Sequence, residues 1–329
     1  MERKKVGKSD VEISAIGLGT TTFGREIDED TAFKIMDYAL DNGITFFDTA
    51  EAYGGGNAFE NRKSSYGTTD IREKSMEMSS SELIIGRWMK QRGTRNEVEI
   101  CTKISGGRGK AEEIRSSIDA SLQRLGTDYI DIYKIHAPDV NTPISETLSE
   151  LTNQVALGKT RTIGGSNYNQ KQISEMLESA KANRFKRFEI MQPNYSLAVP
   201  DAEIEVFPIC TEEEIAITPY SPLGAGFLTG KYIRGDRESI PKGTRMDVAP
   251  GHIDIYFNDR SFNIVDKLKL KSDELGIPIT QLAMAWVMSN KSVTSALAGA
   301  KSPAHLENAI NAYNMKLDDD LRNQMSSWE

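Results

Sequence analysis

Four ionisable side chains in the first half of the chain are of the types that proton transfer at a carbonyl group requires. They are Asp48, Tyr53, Lys103 and His136. A tyrosine side chain has a pKa of ~10, so it is a poor acid or base at neutral pH unless a nearby cation stabilises its phenolate. Lys103 is the candidate cation, Asp48 could hold that lysine through an ion pair, and His136 could orient a carbonyl or relay a proton.

The placement of these residues along the chain predicts that they meet. Asp48 ends one short apolar segment, and Tyr53 lies in the loop that follows. Lys103 and His136 follow the next two such segments. If the segments are neighbouring barrel strands, their carboxyl ends share one rim, where barrel enzymes build their sites. Read singly, each residue has a structural explanation: a helix cap, a solvated lysine, a packed tyrosine or a structural histidine. Their coincidence at successive strand ends favours a shared catalytic role.

The elements that would position them alternate between short apolar strands and amphipathic helices. The predicted strands are 13–18, 44–48, 98–102, 129–135, 160–165, 188–192, 215–220 and 295–298. The predicted helices are 30–42, 81–92, 111–125, 143–157, 169–184, 203–213, 260–275, 303–312 and 318–328. Eight strands, each followed by a helix, predict an α/β fold of the (β/α)8 TIM-barrel type, with 1–329 as a single domain and an extra C-terminal helix. An open doubly wound sheet fits the local pattern too, but the first strand–helix turn lacks its glycine-rich fingerprint.

Three further segments add to this prediction. Residues 4–13 (KKVGKSDVEI) predict an N-terminal β-hairpin with its turn at 7–10, closing the floor of the barrel. The connections 54–80 and 221–259 are long and follow predicted strands. Long loops in compact domains are usually lids or binding loops, so we expect both on the C-terminal face of the barrel.

Composition excludes several classes of function. The chain has 329 residues, 38% of them hydrophobic, and a net charge of −8, which argues against nonspecific binding to nucleic acid or to an anionic membrane. Cys101 and Cys210 are the only cysteines and there are three histidines, so no disulfide framework, cysteine-built zinc site or other metal site is expected. Cys101, on the face of Lys103, is predicted to be buried and inert. Without an apolar run of ~20 residues or a secretory signal, we expect a cytoplasmic protein.

Seven segments, in order along the chain, resemble the aldo-keto reductase family, including the branch that contains potassium-channel β subunits. They are 48–54 (DTAEAYG), 101–106 (CTKISG), 132–139 (IYKIHAPD), 158–169 (GKTRTIGGSNYN), 191–197 (MQPNYSL), 218–232 (TPYSPLGAGFLTGKY) and 298–308 (AGAKSPAHLEN). The resemblance covers nearly the whole chain. It implies an NADPH-dependent oxidoreductase that reduces aldehyde, ketone or sugar carbonyls to alcohols. By the family's mechanism, Tyr53 is the general acid, Lys103 lowers its pKa while Asp48 holds the lysine, and His136 positions the carbonyl.

The resemblance also implies a set of cofactor-binding residues. These are Gly19, Thr20, Ser166, Asn167, Gln192, Tyr220, Ser221, Leu223, Gly226, Lys231, Gly299, Lys301, Ser302, His305 and Asn308. The family places the nicotinamide carboxamide on Ser166, Asn167 and Gln192 and stacks the ring on Tyr220. It covers the pyrophosphate with the segment from Ser221 to Lys231. Lys301, Ser302 and His305 would meet the adenosine 2′-phosphate.

Two departures from the family pattern concern the cofactor. Lys301 stands where the family often has arginine, and a lysine cannot bind phosphate in a bidentate manner. Asn308 and Ala309 stand where the family tends to have Glu-Asn. NADPH remains the expected cofactor, but these two departures leave NADH possible.

A third departure is an insertion. The family typically runs from GGGN directly into a helix that starts with serine and glutamate, whereas 58–79 intervene here. The insertion could be a solvated surface excursion. Alternatively, since it begins near Tyr53, Phe59 and Tyr66 could line the substrate pocket.

Two other functions compete with carbonyl reduction. One is a regulatory subunit that holds the cofactor on the same scaffold with little turnover. The other is a barrel glycosidase that uses Asp48 with Asp131 or Glu51 as its two carboxylates. The glycosidase leaves Tyr53, and the lysine and histidine at the same rim, without a role. The substrate itself and the oligomeric state are not readable from the sequence.

Overall fold

A computed structural model of the protein describes residues 1–67 and 70–328. The strands of its main sheet are β3 (Ile16–Gly19), β4 (Phe46–Asp48), β5 (Glu99–Ile104), β6 (Ile130–Ile135), β7 (Thr160–Ser166), β8 (Ile190–Gln192), β9 (Ala216–Ile217) and β10 (Ala296–Gly299). They pair in parallel in chain order, and β10 pairs with β3. The ring closes between β9 and β10, because Thr294 N–H donates to Ile217 O at 2.8 Å and Leu297 N–H to Pro219 O at 3.1 Å. The predicted (β/α)8 barrel is confirmed.

The predicted N-terminal hairpin closes the barrel floor. Its strands, β1 (Arg3–Lys5) and β2 (Glu12–Ser14), pair antiparallel. Val6, Val11 and Ile13 are fully buried and belong to the apolar cluster that fills the inside of the barrel. A second, larger cluster lies between the sheet and the surrounding helices.

Helices surround the sheet. They are α1 (Glu29–Asp41), α2 (Gly55–Tyr66), α3 (Ser80–Arg92), α4 (Ala111–Leu125), α5 (Ile144–Ala156), α6 (Gln170–Asn183), α7 (Ala202–Glu205), α8 (Phe207–Glu212), α9 (Arg245–Val248), α10 (Gly251–Tyr256), α11 (Asp259–Leu275), α12 (Ile279–Met288), α13 (Pro303–Met315) and α14 (Asp319–Ser326). α4 has the predicted bounds, because Ile114, Ile118 and Leu125 form one buried stripe and Gly126 ends the helix in the left-handed conformation. α14 is the predicted additional C-terminal helix.

Several predicted boundaries are wrong, for local reasons. The predicted strand 13–18 is divided between β2 and β3. The predicted helix 203–213 is two helices, because Pro208 lies in the first turn of α8 and cannot continue the hydrogen-bond ladder of α7. α12 was not predicted, because its apolar residues lie on most of its circumference and give no amphipathic period.

The insertion contains a helix where a loop was predicted. α2 occupies its first half. Its polar sequence shows no apolar stripe, so periodicity could not reveal it. Gly55 and Gly56 are needed for close approach: a Cβ on Gly55 would overlap the Ser75 carbonyl oxygen, and one on Gly56 would lie 2.5 Å from Met76 O. The buried Arg62 pairs with Glu73 and ties the helix to the returning chain.

No helix in the described residues is both long and apolar enough to cross a membrane.

Candidate active site

The carboxyl rim of the barrel brings the four predicted catalytic residues together. Asp48 is the last residue of β4, Lys103 lies near the end of β5, and His136 follows β6. Asp48 and Lys103 are buried, whereas Tyr53 and His136 are partly exposed. The buried pair therefore lies beneath the two side chains that a substrate could touch.

An ion pair joins the two buried residues. Lys103 Nζ lies 2.6 Å from Asp48 Oδ1 and also donates to the Thr49 carbonyl at 2.5 Å. Burial raises the pKa of Asp48, but the Lys103 and Lys134 ammonium groups and a hydrogen bond from Gln192 outweigh it and lower that pKa to about 2. The carboxylate therefore stays charged at neutral pH and fixes the lysine in place.

Lys134 is a member of this cluster that the sequence analysis missed. It is fully buried, and its Nζ lies 3.4 Å from Asp48 Oδ2, 3.2 Å from Gln192 Oε1 and 3.4 Å from Thr218 Oγ1. A signal was available: Lys134 lies two residues before His136, so alternation along β6 predicts that both face the barrel interior.

Tyr53 and His136 face each other at the opening. Tyr53 Oη lies 3.4 Å from His136 Nε2, and the rings meet edge to face with centroids 5.5 Å apart. Burial lowers the pKa of His136, assisted by the Lys103 charge, to about 4, so this imidazole is neutral at pH 7. Neutral imidazole offers one N–H donor and one acceptor nitrogen.

The expectation that Lys103 lowers the pKa of Tyr53 does not hold in this structure. Burial raises this pKa well above its ordinary value, the Asp48 charge raises it further, and Arg25 opposes the change only partly. Lys103 Nζ lies 5.1 Å from the centroid of the Tyr53 ring. The phenol therefore keeps its proton at neutral pH, which is the state required of an acid.

Polar groups suited to an amide line the rim beside this cluster. Ser166 Oγ donates to Gln192 O at 2.7 Å, and Tyr220 Oη donates to Asn167 Oδ1 at 2.9 Å. Asn167 Nδ2 donates to His136 O at 2.9 Å, so this amide is linked to the backbone that follows β6. Asn167 also has a φ of 61°, a left-handed conformation that costs energy and is concentrated at functional sites.

The segment after β9 begins with strained backbone. Ser221 has a φ of 57°, and Gly224 and Gly226 also have positive φ. The Gly224–Thr229 turn follows, and Lys231 Nζ would lie 3.4 Å from a Cβ on Gly226. Leu223 precedes the turn and is partly exposed. Small residues beside a lysine leave room for backbone N–H groups to approach an anion.

A group of basic side chains lies where β10 leads into α13. Lys301 Nζ donates to Gly243 O at 2.7 Å, and His305 Nδ1 accepts from Lys301 N–H at 3.2 Å. Burial lowers the pKa of His305, and the Lys301 and Lys231 charges lower it further. Ser302 precedes the helix without a side-chain capping bond. A helix N-terminus with two lysines and free hydroxyl capacity has the donors that bind phosphate.

Four other predicted cofactor residues differ in how open they are to a ligand. Gly299 is exposed and a Cβ there would meet nothing within 4 Å, and Gly19 has its nearest such neighbour at 3.8 Å. Thr20 is buried and its hydroxyl donates to Asp48 O at 3.1 Å. The Asn308 amide is turned to α12, where Oδ1 accepts from Thr280 Oγ1 at 2.9 Å. The open glycines, the amides and the basic group together fit a nicotinamide dinucleotide.

The carboxylates nominated for a glycosidase are held by cations or backbone. Asp131 pairs with Arg95 and Arg161, each at 2.9 Å. Glu51 pairs with Arg108 at 2.7 Å and accepts from Ser105 N–H at 2.8 Å. This arrangement gives no pair of free carboxyl groups facing one opening.

Cys101, which shares a face of β5 with Lys103, lies in the apolar cluster inside the barrel. Cys101 is fully buried, and burial raises the pKa of its thiol to about 12, as expected of an inert cysteine. In the ranges 1–67 and 70–328, no group of His, Cys, Asp and Glu could hold a metal ion.

Of the two insertion residues proposed for the substrate pocket, Phe59 contacts cationic side chains of its own helix. Phe59 lies between Arg62 and Lys63 of its own helix, each 5.9 Å from the ring centroid. The side chain of Tyr66 lies outside the described residues. The insertion instead contacts the 221–259 loop, where Arg72 lies 3.3 Å from Asp247.

Known proteins are similar in sequence to this chain across almost its full length. A model of the aldo/keto reductase family matches residues 15–328. An uncharacterised oxidoreductase of Bacillus subtilis (strain 168), YrpG, is 32% identical over 98% of this chain and 94% of its own length. A probable voltage-gated potassium channel subunit beta of Arabidopsis thaliana is 32% identical over 95% of this chain and 91% of its own. An NADH-specific methylglyoxal reductase of Escherichia coli (strain K12) is 29% identical over 97% of this chain and 95% of its own.

The resemblance noted in the sequence is confirmed, and the oxidoreductases among these relatives agree with the acid–base cluster at the barrel rim. Since the family match spans nearly the whole chain, the protein belongs to the aldo/keto reductase family.

Proposed function

We propose that the protein reduces the carbonyl group of a small aldehyde, ketone or sugar to an alcohol, with NADPH as the hydride donor. The observation that carries the proposal is the 3.4 Å approach of Tyr53 Oη to His136 Nε2, directly above the buried pair of Asp48 and Lys103. The tyrosine hydroxyl and the neutral imidazole therefore meet at the rim, and a cation fixed by its ion pair lies beneath them.

The residues of the chain have separate tasks in this reaction. When bound, the cofactor would supply a hydride to the carbonyl carbon. Tyr53 gives its proton to the carbonyl oxygen, and the positive charge of Lys103 stabilises the phenolate that remains. Asp48 holds the lysine by the 2.6 Å ion pair. His136, neutral at pH 7, orients the carbonyl oxygen toward the tyrosine by an N–H hydrogen bond.

The polar rim would hold the two ends of the cofactor. Ser166, Asn167 and Gln192 would bind the carboxamide of the nicotinamide, and Tyr220 would stack on the ring. The loop from Ser221 to Lys231 would cover the pyrophosphate, with Leu223 and Gly226 in its turn. Gly19, which pairs with Gly299 on the neighbouring strand, and Thr20 would contact the cofactor as well.

The basic group before α13 would hold the adenosine end. Lys301, Ser302 and His305 would bind the 2′-phosphate of NADPH, and the exposed Gly299 would leave room for it. Asn308 would contact the adenine if its amide left Thr280. Because Lys301 is a point charge rather than a bidentate guanidinium, NADH remains the alternative donor, as it is named for the Escherichia coli relative.

Steady-state consumption of NADPH and NADH with a panel of aldehydes, ketones and keto-sugars tests this function. We expect turnover of at least one carbonyl compound and a higher kcat/KM with NADPH. A preference for NADH would contradict the role of Lys301. Failure of every carbonyl compound, with either cofactor tightly bound, would contradict carbonyl reduction.

The relative described as a channel β subunit supports a second candidate, a cofactor-binding regulatory subunit in the cytoplasm. It differs from the first candidate in that it would reduce carbonyl compounds only slowly. A bound NADPH that is oxidised only slowly by all carbonyl compounds, together with a protein partner that co-purifies through gel filtration, would favour this candidate.

A further inference from the structure

Lys134 connects the acid–base cluster to the glutamine that we assign to the carboxamide. Its Nζ lies 3.4 Å from Asp48 Oδ2 and 3.2 Å from Gln192 Oε1. Gln192 Nε2 in turn donates to Asp48 Oδ1 at 3.2 Å. The amide oxygen therefore accepts from the lysine while the amide nitrogen donates to the aspartate, so the orientation of Gln192 is fixed.

The buried charges around this link do not cancel. Lys103 and Lys134 both lie within salt-bridge distance of Asp48, and neither lysine contacts another carboxylate in residues 1–67 and 70–328. His136 is neutral at pH 7, and Cys101 remains a thiol. One net positive charge is left where water does not screen it, because both ammonium groups are fully buried.

We propose that Lys134 gives this site a preference for the reduced nicotinamide over the oxidised one. The inference rests on the proposed function, in which Gln192 holds the carboxamide. The oxidised ring carries a positive charge and the reduced ring carries none. A fixed positive charge beside the ring position therefore weakens binding of the oxidised cofactor and leaves the reduced form unaffected.

The size of the effect follows from charge and distance. The charges of Lys103 and Asp48 cancel approximately, so the ammonium group of Lys134 is the excess positive charge. For an assumed separation of ~8 Å between Lys134 and the ring, and an effective dielectric constant of about 20, two unit charges change an affinity by about 30-fold. The oxidised cofactor would also leave faster, because the weakened complex dissociates more readily.

Calorimetric titration of the wild type with NADPH and with NADP+ is the first test. We expect the Kd for NADP+ to exceed that for NADPH by about tenfold or more. Equal values would overturn the inference without any variant. Failure to bind either form would instead contradict the proposed function, and the inference with it.

The variants Lys134→Gln and Lys134→Met test the residue itself. We expect the ratio of the two Kd values to fall by about 10- to 30-fold, mainly through tighter binding of NADP+. Lys159→Gln is the matched control, because it removes the same charge from a lysine that pairs with Asp119 at the surface. A structural role would weaken both forms by the same factor, and that result would overturn the proposal.

Discussion

Neutralising Asp48 should destabilise the fold in a way that depends on pH. In Asp48→Asn, the ammonium groups of Lys103 and Lys134 lose the carboxylate that both contact. Removing one partner of a buried ion pair typically costs about 3–5 kcal/mol, since the remaining charge is buried without compensation. We therefore expect the free energy of unfolding at pH 7 to fall by at least about 3 kcal/mol.

The pH dependence comes from the lowered pKa of Asp48. The value is about 2 in the folded protein and 3.8 for the free side chain. A lowered pKa stabilises the fold above the unfolded value, and this contribution disappears as the pH falls toward the folded value. The difference corresponds to about 2 kcal/mol. The stability gap between wild type and Asp48→Asn should therefore narrow between pH 4 and pH 2.

Urea unfolding from pH 7 down to the lowest pH at which both proteins fold measures this gap. Asp37→Asn is the matched control, because Asp37 pairs with Arg92 near the surface, where both side chains are more than a third exposed. This substitution should lower the free energy of unfolding by about 1 kcal/mol or less. If Asp48→Asn is no less stable than Asp37→Asn, or if its gap stays constant below pH 4, the account of the buried cluster is wrong.

Two more predictions concern the histidine and the insertion. Because the pKa of His136 is about 4, kcat/KM should show no histidine titration between pH 5 and pH 8; an inflection near pH 6.5 that disappears in His136→Asn would contradict this. Gly55→Ala should lower stability by about 1–3 kcal/mol and expose the insertion to protease, since its Cβ overlaps Ser75 O. Gly251→Ala, whose Cβ meets nothing within 4 Å, is the control, and equal effects of both in thermal unfolding would refute the packing argument.

Much of the fold was predictable because its signals are local. The stripe of Ile114 and Ile118 gives the bounds of α4, and eight strand–helix pairs indicate a closed barrel. The helix at Gly55–Tyr66 was not predictable, because close backbone contacts and a buried ion pair stabilise it rather than an apolar stripe. Its partners Ser75 and Glu73 lie in the returning chain of the same insertion, at spacings that follow no helical period.

The candidate site, too, could be predicted from the sequence only in part. Asp48 and His136 were recognisable from their place at strand ends. Lys134 was missed, because a lysine is almost always solvent-exposed and its burial depends on acceptors from three other strands and loops. The raised pKa of Tyr53 was not predictable either, since it comes from burial and from the Asp48 charge.

The measurement that tests the central claim most directly is kcat of Tyr53→Phe beside wild type, with the Kd for NADPH measured on both. Phenylalanine keeps the ring and removes only the hydroxyl that faces His136 at 3.4 Å. We predict a loss of kcat of about 10²–10⁴-fold with little change in Kd. A variant that binds NADPH and retains wild-type kcat would show that Tyr53 is not the acid.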